Sequence, residues 1–93
     1  MVTKTEPFDA ADYLRSAADM AEYLNVCLAE GDPALTAHAL GVVARAHGMT
    51  QLARDTKLGR ESLYKALSVD GNPSFATMMK VFDALGMKLS VST

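Results

Sequence analysis

The chain has 93 residues, 49% of them hydrophobic, which is enough for one compact core and too few for two ordinary domains; residues 1–93 are read as a single domain. The lone cysteine, Cys27, excludes an internal disulfide, and with His38 and His47 it does not make a recognisable metal-ligand spacing, so no zinc centre is expected. The net charge of −2 argues at first against a nucleic-acid binder, since tracking phosphates calls for a basic patch.

That sum conceals a split. Residues 1–32 hold two basic against seven acidic residues, a balance of −5, whereas residues 33–93 hold seven basic against four acidic, a balance of +3. Two faces with opposite partners explain this, and so does a merely solvated acidic helix. No stretch approaches the roughly 18 apolar residues of a membrane span. The start, Met1–Pro7, lacks the apolar segment of a signal peptide. A cytoplasmic protein with no membrane partner is expected.

In chain order the punctuation is helical. Asp9 can cap a short helix over Ala10 to Arg15, its carboxylate accepting from the free N–H groups of the first turn. Ser16 can cap a longer one, with Met20, Tyr23, Leu24, Cys27 and Leu28 along one apolar stripe and Gly31 at its end. These pieces form an acidic amino-terminal part, residues 1–31. Asp32-Pro33 then restarts a helix, with proline at the first position, where a missing N–H costs nothing. Leu35, Ala39, Val42, Val43 and Ala46 give it a buried face, and Gly48 stops it. Two short helical patterns follow, Thr50 to Thr56 and Arg60 to Leu67. Asp70-Gly71-Asn72-Pro73 then reads as a turn or loop. A last helix capped by Ser74 aligns Phe75, Met78, Met79, Phe82 and Leu85 and ends at Gly86, closing a core over residues 32–86. In residues 87–93, Met87, Leu89 and Val91 alternate with Lys88, Ser90 and Ser92, a strand period. A lone strand leaves its backbone groups unpaired. It would pair with a second copy or another protein, or else fray or pack on its own helices.

Residues 50–67 carry the functional signal. Two short helices across a tight turn, the second exposing polar residues at its N-terminal end, make the shape that lays a helix in the major groove. Leu52, Ala53 and Thr56 face inward from the first helix, and Leu58, Leu63, Ala66 and Leu67 anchor the turn and the second. At 100° per residue that leaves Glu61, Lys65 and Ser68 outermost, flanked by Ser62 and Tyr64, with Arg60 at the leading end. Arg60 can make the bidentate contact to guanine, worth roughly 1–3 kcal/mol of discrimination, and Glu61 can accept from a cytosine amino group. Lys65 can read guanine or bind phosphate, and Gln51 can clamp a phosphate at the start of the first helix. Glu61 and Lys65, spaced i, i+4, can instead pair on a solvated face. Tyr64 can instead pack its ring on a neighbouring helix. No nucleophile, base and orienting group occur together, so neither catalysis, a small-molecule substrate nor a cofactor is expected.

The helix-turn-helix resembles the Xre/Cro/CI-type repressors. The run Gly59-Arg60-Glu61-Ser62-Leu63-Tyr64-Lys65-Ala66-Leu67-Ser68, with Gly71-Asn72-Pro73-Ser74 and Ala84-Leu85-Gly86, resembles a narrower group: the addiction-module antidote proteins, HigA-like antitoxins of type II toxin–antitoxin pairs. The likeness runs from about Phe8 to the C-terminal segment. It implies an all-α class, a five-helix lambda-repressor-like helix-turn-helix domain with an added N-terminal helix and a short C-terminal β-strand. It further implies a homodimer that represses its own operon and neutralises a small basic toxin of the RelE/ParE-like, HigB type. The DNA-reading positions of the family fall on Arg60, Glu61, Ser62, Tyr64 and Lys65, with backbone contacts around Gln51 and Asn72. Lys57 departs from the pattern, standing where the turn usually has glycine, at a position that calls for positive φ. A phage-type transcriptional repressor with no toxin is the alternative; a small basic reading frame beside the gene separates the two.

Overall fold

The computed structural model describes residues 10–93. One turn of 3-10 helix, Ala10–Tyr13, precedes five α-helices: α1 Ala17–Ala29, α2 Pro33–His47, α3 Met49–Thr56, α4 Arg60–Ala66 and α5 Phe75–Ala84. Their ends follow the local chemistry. The Ser16 hydroxyl accepts from the N–H of Asp19 at 3.1 Å and the Asp19 carboxylate accepts from the N–H of Arg15 at 3.1 Å, which together satisfy two donors around the first turn of α1. The Asp32 carboxylate accepts from Ala34 at 3.0 Å with Pro33 opening α2, and the Ser74 hydroxyl accepts from Thr77 at 3.1 Å at the start of α5. Gly86, at φ +75°, closes α5 with the N–H of Met87 on the carbonyl of Phe82 and its own N–H on that of Asp83, the paired bonds of a left-handed helix stop.

Helix α2 is the centre. Ala37, Ala39, Leu40, Val42, Val43 and Ala44 are all buried, so the helix is covered on several sides, with α1, α3 and the 3-10 turn packed on it. Leu40, absent from the expected buried face, is fully enclosed with Leu52, Leu63, Val43 and Val81. A single-stripe reading fails for a helix that is wrapped rather than laid on a surface. At Gly41 a Cβ would collide with the carbonyl oxygen of Leu67, so the glycine lets the end of α4 come against the α2 backbone.

Two features of the expected fold are corrected. The described residues hold five α-helices, α1 included, and one 3-10 turn, rather than five helices plus an added one; the segment read as a helix from Ala10 to Arg15 is only that 3-10 turn, and its cap Asp9 lies outside the described residues. Nor is there a β-strand among the described residues: 87–93 carry no regular structure. Met87 packs against the core, Leu89 is 42% exposed and Val91 98%. Alternation aims side chains, but a strand is made by a hydrogen-bonded neighbour, and among the described residues the backbone bond made by this segment, Met87 to Phe82, belongs to the α5 stop and not to a ladder. The class is all-α. No helix among the described residues is long and apolar enough to cross a membrane.

Candidate nucleic-acid interface

Helices α3 and α4 are joined by Lys57, Leu58 and Gly59 and pack on each other. Leu52 and Leu63 are fully buried, and Leu67 nearly so, which fixes one side of each helix to the core. Thr56 is buried at the end of α3. Its hydroxyl donates to the carbonyl of Leu52 at 2.8 Å and accepts from the N–H of Leu58 at 3.3 Å, tying the helix end to the turn. Lys57 follows at φ 62°, ψ 24°, the only non-glycine residue of positive φ among those described. The departure noticed in the sequence thus falls on the left-handed position of the turn, where a side chain costs roughly 1–2 kcal/mol.

With Leu63 inward, Arg60, Glu61, Ser62, Tyr64 and Lys65 are exposed. The last four line one shallow surface depression. The Arg60 guanidinium lies 5.8 Å from the Tyr64 ring centroid and 3.4 Å from its hydroxyl oxygen, to which it donates a long hydrogen bond. Tyr64 therefore meets Arg60 of its own helix and stays 46% exposed. No ion pair links Glu61 to Lys65, so the carboxylate and the ammonium both stay open to a ligand. Ser68 leaves the outermost line. It falls after the end of α4, half-buried, and its hydroxyl donates to the carbonyl of Lys65 at 3.0 Å.

Gln51 and Asn72 sit on other elements. Gln51, exposed on α3, donates from Nε2 to Asp55 at 2.9 Å and accepts from Arg54 at 3.3 Å, so its amide is held between a carboxylate and a guanidinium. Asn72 is exposed in the loop after α4, where Gly71 is obligatory: a Cβ there would strike the carbonyl of Ala66. This loop lies against α2, and Asn72 lines a groove with Pro33, Thr36 and Met78 rather than the depression on α4. Arg54 and the Arg60–Tyr64 contact lie outside the residues and contacts expected from sequence. Both were signalled by spacing, i, i+3 from Gln51 and i, i+4 along α4.

Among the described residues no group of three or more His, Cys, Asp or Glu could hold a metal ion. Cys27 is buried and His38 exposed.

The sequence of residues 4–93 matches the family described as "Probable addiction module antidote protein". An uncharacterized protein of Haemophilus influenzae is similar as well, 47% identical over 91 residues that span 98% of this chain and 94% of that protein. No solved structure matches the chain. A family of antidotes is regulatory rather than catalytic, in agreement with a sequence that assembles no catalytic set. With the match running through both the acidic amino-terminal part and the helix-turn-helix, the chain belongs to the addiction-module antidote family.

Proposed function

We propose that this antidote is the antitoxin of a type II toxin–antitoxin module, with two activities on two surfaces. It binds operator DNA as a homodimer through α3 and α4, repressing its own transcription, and it neutralises a small basic RelE/ParE-like toxin of the HigB type by direct binding. Arg60, Glu61, Ser62, Tyr64 and Lys65 face the bases, and Gln51 and Asn72 contact the backbone. The observation that carries the DNA-binding half is the exposed polar face of α4 over a fully buried Leu63, with Arg60 steadied by Tyr64. A guanidinium so held is suited to two parallel bonds to a guanine edge.

The acidic part supports the second half. Asp12, Asp19, Glu22, Glu30 and Asp32 are exposed on the 3-10 turn, α1 and the α1–α2 junction. A surface of one sign draws an oppositely charged partner and rejects others. Co-expression with the product of the neighbouring reading frame, followed by a growth test and by gel retardation of the chain's own promoter, tests both halves. Rescue of growth and a retarded band are expected. A chain that retards the promoter and rescues nothing would be a repressor without a toxin.

A further inference from the structure

Among the described residues four have positive φ: Gly31 at 71°, Gly48 at 117°, Gly86 at 75° and Lys57 at 62°. Three are glycine, which takes that conformation without steric cost, and Asn or Asp is the side chain that tolerates it best. Lysine has neither advantage. The backbone of the α3–α4 turn thus gives no reason for this residue, and a disfavoured conformation persists where the side chain serves something other than the fold. The Lys57 ammonium is exposed and has no carboxylate partner among the described residues. Asp55, two residues earlier, is bonded instead to Nε2 of Gln51 at 2.9 Å. A cation does meet the negative end of the α3 dipole here, but any lysine in the last turn gains that without taking the left-handed position.

The place of the turn supplies the other half. Lys57 ends α3 and stands three residues ahead of Arg60, the first residue of α4. In a helix-turn-helix the two helices meet at roughly 90–120°, so α3 runs across the groove that α4 enters. The eight residues of α3 span about 12 Å at 1.5 Å per residue, about the width of the major groove. The end with Gln51 then stands over one strand, and the end with Lys57 over the other. Lysine suits such a place. A point charge on a flexible stem meets a phosphate from many directions, whereas a base edge asks for the planar fork of arginine. Between residues 51 and 65, Arg54, Lys57, Arg60 and Lys65 oppose Asp55 and Glu61, a net +2 of which Lys57 supplies half.

We infer that the Lys57 ammonium binds a backbone phosphate on the strand facing the one that Gln51 contacts, the turn giving up stability for DNA affinity. This rests on the operator-binding reading above and adds a contact to it.

The test is gel retardation of the chain's own promoter and of a random duplex at several salt concentrations. Lys57→Gly relieves the turn, so weaker binding by that variant is not a loss of fold. It is expected to melt higher than wild type and yet to bind both DNAs about 3- to 10-fold more weakly at about 100 mM salt, with a salt slope shallower by about 0.9. Lys57→Gln loses the charge but keeps a long side chain at the same φ, and should weaken binding to the same extent. Lys57→Arg should retain both affinity and slope. Lys88→Gln, which removes a charge beside α1, should leave both unchanged. In ethylation interference on the promoter, Lys57→Gly and Gln51→Ala should each lose a phosphate, on opposite strands. Wild-type slopes in the glycine and glutamine variants, a glutamine variant that binds like wild type while the glycine variant does not, or lost phosphates on the same strand would each overturn the assignment and leave operator binding standing. A wild type that retards neither DNA would overturn the operator-binding reading itself, and this contact with it.

Discussion

Arg60 and Tyr64 meet across one turn of α4, the guanidinium 5.8 Å from the ring centroid and 3.4 Å from the phenolic oxygen. At an exposed site such a cation–π contact is worth about 0.5–1 kcal/mol, too little to matter for folding but enough to narrow the rotamers of a long side chain before DNA arrives. Arg60→Ala is expected to lower affinity for the operator by roughly 5- to 150-fold, the range of one bidentate base contact, and to relax preference at one base pair. Tyr64→Phe keeps the ring and should cost little. Tyr64→Ala should fall between, at about 2- to 5-fold. Gel retardation on operator and random DNA measures all three; equal losses on both sequences for Arg60→Ala would remove Arg60 from base reading.

Gln51 has a different signature. Its amide is shared between Asp55 and Arg54, and a side chain placed against phosphates carries no sequence information. Gln51→Ala should weaken specific and random complexes by the same factor. Asp55→Asn should strengthen both, since it removes a negative charge beside the expected path of the phosphate backbone. Titrations at two salt concentrations would detect either change.

The turn tests the cost of a side chain at a left-handed position. Lys57 at φ 62° sits in a conformation that glycine adopts without penalty, offset in part by the extra entropy glycine loses on folding. Lys57→Gly is therefore expected to stabilise the protein by about 0.5–1 kcal/mol and raise the melting temperature by a few degrees. Lys57→Val, with a branched Cβ, should lower it. A melting temperature unmoved by Lys57→Gly would mean the strain is relieved elsewhere.

How much of this could be read from residue order depends on whether the signal was local. Ser16, Asp32 and Ser74 cap where expected, because a cap is decided within three residues of the helix start. Gly31, Gly48 and Gly86 all take positive φ at the helix ends they were read to mark. The buried side of α4 was legible from Leu63 and Leu67, and so was the exposed run from Arg60 to Lys65. What could not be read depends on the rest of the chain. Leu40 is enclosed because α2 is surrounded, and Phe75 is exposed because none of the described residues covers that flank of α5, although both lie in helices whose pattern is apolar. The alternation in residues 87–93 was real, yet a strand also needs an edge, and periodicity says nothing about whether one is near.

Thr56 shows a polar group whose loss is costly because it is buried. Its hydroxyl is both a donor to Leu52 and an acceptor for Leu58, so Thr56→Val, which preserves shape, leaves the N–H of Leu58 without its partner in a half-buried turn. The expected cost is about 1–3 kcal/mol. Thr56→Ser retains the hydroxyl and loses one methyl, about 1 kcal/mol or less. Urea unfolding should rank wild type above serine and serine above valine; valine equal to wild type would show that water replaces the hydroxyl.

Gly41 offers a reversal of sign. In an exposed helix interior, glycine to alanine stabilises by about 1 kcal/mol. Here the added Cβ would fall on the carbonyl oxygen of Leu67, a backbone atom just past the end of α4 that cannot swing aside as a side chain would. Gly41→Ala must push α4 away from α2 or bend one of them, and overpacking of this kind costs about 1–3 kcal/mol. Because the displaced element carries Arg60 and Lys65, operator affinity should fall together with melting temperature. Gly59→Ala, at φ −71° with nothing nearer its Cβ than the Ser62 hydroxyl oxygen at 3.9 Å, meets no obstacle. It should be far milder on both counts, which separates the close approach at Gly41 from the general loss of a glycine.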